Sequence, residues 1–114
     1  MTAVVLAATI VSGVASWMPE RFGDGYLALP EGPGQTVTIC GQRCLSMTST
    51  DSGPDKAMQR AGRVADIGVR AWEHICGKPR SVGLCRVTVD YGAPAATLPP
   101  TDTGWNRVQR WFAL

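Results

Sequence analysis

Apolar and polar positions alternate strictly through the middle of this chain. Over residues 44–50, Leu45 and Met47 point to one side of an extended backbone while Ser46 and Thr48 point to the other, the period of a half-buried strand. Residues 36–39, Thr-Val-Thr-Ile, repeat the pattern, and residues 85–89, ending Val87-Thr88-Val89, predict a closing strand. Ser52-Gly53-Pro54 interrupts the ladder, because glycine favours turn geometry and proline removes a backbone donor. Asp51 is therefore expected at a strand end, on a rim. A second period follows. Ile67, Ala71 and Ile75 recur at i, i+4 and i+8, which predicts a short helix. Asp66 stands at its start, where a carboxylate can accept hydrogen bonds from the free amides of the first turn.

The two ends of the chain read differently. Residues 3–11 form an apolar run that resembles a secretion signal but has no Lys or Arg before it, and it is shorter than the ~20 residues of a membrane-spanning helix. Val4, Val5, Thr9, Ile10 and Val11 are β-branched, so residues 1–11 are expected as an apolar strand or extension. Residues 92–104 carry Pro94, Pro99, Pro100 and Gly104 and predict an extended linker. In residues 105–114, Trp105, Val108, Trp111 and Phe112 share one helical face, with Arg107 and Arg110 off it. This tail either folds back on its own domain or docks on a protein partner.

Composition narrows the class. The 114 residues suit one small domain at 12–91, and 13 glycines with 8 prolines suit many short strands joined by tight turns. A formal net charge of +2, with no cluster of Lys and Arg interleaved with aromatics, argues against nucleic-acid binding. Cys40 and Cys44 would join the strands of a hairpin, and Cys76 and Cys85 would clip the helix end to the closing strand. Three pairings remain open, and an even count favours disulfides formed in an oxidising compartment. The rival zinc reading lacks the usual C-x2-C knuckle. No phosphate-cradling glycine loop is visible, and the single histidine, His74, inside the predicted helix, speaks against a Ser/His/Asp triad. No metal or cofactor is expected.

The candidate chemistry rests on Asp51 and Asp66. Gly13-Val14-Ala15-Ser16-Trp17, Leu29-Pro30, Thr50-Asp51-Ser52-Gly53-Pro54, Gly62-Arg63-Val64-Ala65-Asp66-Ile67 and the closing Val87-Thr88-Val89 follow one another in order. This series resembles the rare lipoprotein A and expansin-like proteins, with their G-x-A-S/T-W/Y opening, T/N-D-x-G-P turn, G-R-x-x-D-L/I segment and final V-x-V strand. The resemblance implies a six-stranded double-psi β-barrel with one or two short helices. It also implies binding of a structural polysaccharide such as peptidoglycan, with cleavage by lytic transglycosylation in some members and loosening without hydrolysis in expansins. Carried over by position, Asp51 and Asp66 would be the catalytic acids, with Ser16, Trp17, Tyr26 and Ser52 lining the substrate. Tyr26 stands nearest to where the lytic enzymes have a histidine, and tyrosine is a poor base at neutral pH.

Lytic transglycosylation needs no activated water, since the sugar's own hydroxyl closes on the anomeric carbon. One carboxyl group can give a proton to the leaving oxygen and take one back. Such an acid requires a pKa well above the usual ~3.9, through burial or a neighbouring like charge. The resemblance thus implies an extracellular or cell-wall-associated protein. A non-catalytic, expansin-like or structural module of a larger assembly, such as a phage tail in a virion, is the alternative.

Overall fold

The computed structural model describes residues 9–92, and the residues beyond those limits, including the proline-rich linker and the aromatic tail, lie outside the described part. The chain is mainly β. Its strands are β1 (Ile10–Met18), β2 (Leu27–Leu29), β3 (Thr36–Cys40), β4 (Cys44–Thr48), β5 (Asp51–Ser52), β6 (Arg63–Gly68) and β7 (Leu84–Asp90). Two short helices, α1 (Lys56–Arg60) and α2 (Val69–Cys76), complete it, with 3-10 turns at Glu20–Phe22 and Arg80–Val82. Seven strands stand where six were expected, because the turn after Thr50 carries the two-residue strand β5.

The strands form one mixed sheet in the order β4-β3-β7-β1-β6-β2-β5. The pairs β1–β6 and β2–β5 are parallel and the others antiparallel. The two edge strands, β4 and β5, are neighbours in the chain, with only Ser49 and Thr50 between them. In a flat sheet the edges would lie about 29 Å apart, at ~4.8 Å per strand. Thr48 and Asp51 are three residue steps apart, a reach of about 10 Å. The sheet has to curl, and it does so into a half-barrel. Ser49 and Thr50 are tied down accordingly: the Ser49 amide donates to the Gln35 carbonyl and the Thr50 amide to the Leu27 carbonyl, each at 2.8 Å. The buried Ser49 hydroxyl donates to the Gly32 carbonyl at 2.7 Å.

Alternation decides what the curl encloses. Val37, Ile39, Leu45 and Met47 turn into the core, while Thr36, Ser46 and Thr48 face solvent, as their pattern predicts. Helix α2 fills the concave side with Ala71, Trp72 and Ile75. Trp72 is completely buried, and its indole N–H donates to the Ala15 carbonyl at 2.9 Å, which pins the helix to β1. Cys40 and Cys44 are bridged at the end of the β3–β4 hairpin, and Cys76 and Cys85 join the last turn of α2 to β7.

One expectation is corrected. Asp66 does not cap a helix: it lies inside β6, and α2 begins two residues after Ile67 with Gly68 at its N-cap and no side-chain cap. Strand and helix follow each other without a loop. Ile67 at the strand end and Ala71 and Ile75 on the helix enter the same core, which produces helical spacing across two different elements.

Candidate functional site

Register brings the candidate residues into one row. In the sheet, Ala28 of β2 is paired with Asp66 of β6 on one side and with Asp51 of β5 on the other. Asp66 is in turn paired with Ser16 of β1. Residues paired in this way project to the same face, so Ser16, Asp66, Ala28 and Asp51 form a line across the sheet. Leu27 and Leu29 belong to the core, and Ala28 between them faces the other way. Its methyl group is itself buried, 1% exposed, and lies between two carboxylates whose backbones are about 10 Å apart, two strand spacings.

Each carboxylate has a hydroxyl partner. Ser16 Oγ donates to Asp66 Oδ1 at 2.5 Å, and Tyr26 Oη donates to Asp51 Oδ2 at 3.0 Å. The other oxygen of Asp51 accepts from the Ser52 amide at 2.8 Å, which fixes the carboxylate over its own turn. Burial is the largest influence on Tyr26 and pushes its phenol up to about 12, reinforced by the hydrogen bond and charge of Asp51 and by the charge of Asp66. Tyr26 therefore feels both aspartates. Neither aspartate forms a salt bridge among the described residues.

Glycines shape the row. Gly53 has φ +147°, a conformation that disfavours side chains, and a Cβ there would lie 3.4 Å from the Ala28 methyl and 3.6 Å from Asp66 Oδ2. The glycine of the T-D-x-G-P turn thus packs over the Ala28 methyl, beside Asp66. Gly68 works from below, since a Cβ would come within 2.4 Å of the Gly23 carbonyl oxygen. The Gly68 amide donates to the Tyr26 carbonyl at 2.9 Å, so close contact between β6 and the loop before β2 positions Tyr26.

Other expected residues fall elsewhere. Trp17 follows Ser16 and turns to the opposite side, where it packs against the core with its indole N–H donated to the Arg80 carbonyl at 2.8 Å. Arg80 also stacks over that ring and forms ion pairs with Glu20 and Glu73. Ser52 is exposed but pairs with Leu29, one residue off the row, and lies beside Gly32. His74 is half-buried on α2, with its pKa lowered by burial and by the Arg43 charge, and takes no part in the row. The four cysteines are structural. Among the described residues no group of His, Cys, Asp and Glu is arranged to hold a metal ion, and no helix is long and apolar enough to cross a membrane. The place of Ala28 between the two acids was missed by sequence reasoning, because only strand pairing puts it there.

No protein-family model matches this chain, and no curated protein matches it.

Proposed function

We propose that this protein binds the structural polysaccharide of a cell wall, peptidoglycan in the first place, along the row of Ser16, Asp66 and Asp51. The observation that carries this reading is the shared register of Asp51 and Asp66 on either side of Ala28. Sugars present many hydroxyl donors, and two carboxylates spaced two strands apart, with the Ser16 and Tyr26 hydroxyls beside them, match a polyhydroxylated chain lying across the strands. The motif order implies a double-psi barrel for the curled sheet, and the two disulfides suit an extracellular or wall-associated location.

Cleavage by lytic transglycosylation is the second reading, favoured by the convergence of two acids on one face. In that reaction Asp66 or Asp51, protonated, gives its proton to the glycosidic oxygen as the C–O bond breaks, and the same carboxylate then takes the proton of the sugar hydroxyl that closes on the anomeric carbon. Tyr26 adds nothing as a base, because a phenol raised to about 12 stays protonated at neutral pH. It serves as a donor that holds Asp51. Binding therefore outranks cleavage.

Sedimentation with insoluble peptidoglycan tests the first reading, and analysis of the supernatant for anhydro-muropeptides tests the second. Co-sedimentation without anhydro products makes the protein a binding module. Absence of co-sedimentation removes both readings.

A further inference from the structure

The outer face of the sheet continues past Ser16, on the side of β1 away from Asp66. There β1 pairs with β7, Ser12 opposite Thr88 and Val14 opposite Arg86, while Thr88 is also paired with Cys40 of β3. Ser12, Arg86 and Thr88 all project outward, because Gly13, Cys85, Val87 and Val89 between and beside them are buried. Together with Cys40, Gly41 and the backbone of Val87 they line a surface cleft of about 400 Å³. The Arg86 side chain is exposed, and among the described residues it has neither an ion pair nor a hydrogen-bond partner; the side chains of Arg60 and Arg63 likewise have neither, whereas Arg70, Arg80 and Arg43 are each engaged.

We infer that Arg86, with the hydroxyls of Ser12 and Thr88, forms a subsite for a carboxylate carried by the polymer that lies on the aspartate row. The inference rests on the polysaccharide reading and extends it to a charged class of substrate. A guanidinium presents paired donors that match a carboxylate, and two neighbouring hydroxyls add donors at the same place. The nearest acids do not neutralise it. Asp90 lies four residues further along β7, about 13 Å away, and its Oδ1 accepts from the Gly92 amide. Asp66 lies two strands across and one strand repeat up, about 12 Å by backbone. The face is therefore bipolar: acceptors at one end for sugar hydroxyls, a cation at the other for an acidic group. A neutral glucan would leave the cation without a partner, and a wall polymer bearing carboxylates would use both ends.

Two sources offer that carboxylate, a uronic acid within the chain or the lactyl-peptide branch of a muramyl residue. Binding of wild type, Arg86→Gln and Asp66→Asn is measured against oligogalacturonate, soluble peptidoglycan fragments and neutral N-acetylglucosamine oligomers. Arg86→Gln is expected to weaken the two acidic probes about tenfold, the size of one lost charge-assisted contact, and to leave the neutral oligomers within about twofold. The acidic probe that loses more identifies the source. Equal affinity of Arg86→Gln and wild type for both acidic probes, with Asp66→Asn impaired, overturns the subsite and leaves the polysaccharide reading standing. If wild type binds none of the polymers, that reading falls, and the subsite is judged by titrating free galacturonate while following the backbone amide resonances of Ser12, Arg86 and Thr88. Saturable shifts at these three support it, and unchanged resonances overturn it.

Discussion

Asp66 separates chemistry from architecture through a single atom. Asparagine at this position keeps an oxygen to accept from Ser16 and removes the charge, so Asp66→Asn is expected to reduce polysaccharide binding at least tenfold. The melting temperature should move by no more than a few degrees, since the side chain lies outside the core. Parallel binding and thermal melts check this, and a large thermal loss would mark the residue as structural. Tyr26 carries a pH signature. Its folded pKa, about 12, exceeds the ~10 of the unfolded chain, so the folded state retains a proton that the unfolded state loses between those values. Its contribution to stability is complete below about pH 10 and disappears as pH rises towards 12. Tyr26→Phe should flatten the alkaline fall of stability in denaturant titrations, leaving a residual slope from Tyr91, which is also raised by burial and by its hydrogen bond to Glu31. The identities of Ser16, Asp51 and Asp66 were legible in the sequence because short motifs mark them. Their alignment was not, because it depends on which strands pair across the sheet, and Tyr26 reaches Asp51 through space rather than through spacing.

At the level of elements, Gly13 shows how closely β1 and β6 approach. A Cβ on Gly13 would stand 2.4 Å from Val64 Cγ1 and 2.5 Å from the Gly62 carbonyl oxygen, at the point where the parallel register slips between Val14 and Ala15. Gly13→Ala is expected to destabilise the fold by about 1–3 kcal/mol through overpacking, measurable as a lower urea midpoint. Because the same strand pair aligns Ser16 with Asp66, binding should weaken as well. The β3–β4 hairpin was readable residue by residue, since one face of each strand is buried and the period of two is undisturbed. The junction of β6 and α2 was not. A strand that passes straight into a helix carries its last core residue into the helical count, and Ile67 therefore extended the period backwards. Helix α1 went unread for a simpler reason. It spans five residues with no buried side chain, and its clearest local signal is Asp55, which accepts from the Met58 amide at 2.9 Å as an N-cap.

The whole molecule is small for its number of strands, so covalent links matter. Each bridge closes a short loop, four residues in one case and nine in the other, and each is worth about 2–3 kcal/mol. Reduction of both should lower the melting temperature by at least ~10 °C, with the larger share from the Cys76–Cys85 link because its loop is longer. Single Cys-pair replacements by serine, followed calorimetrically, separate the two. That the chain would be mainly β followed from its turns and alternation. The curl followed from something less local, the adjacency in sequence of strands that end up at opposite edges.

Ser49 and Thr50 thus act as the buckle of a hoop. A flexible insert between them would let the β4 edge swing away from β5 while the strand pairs stayed intact, and the row of Asp51, Ala28 and Asp66, held by the β5–β2 and β2–β6 pairings, would keep its spacing. Circular dichroism would scarcely register the change, yet a protease would cut more readily at the loosened seam.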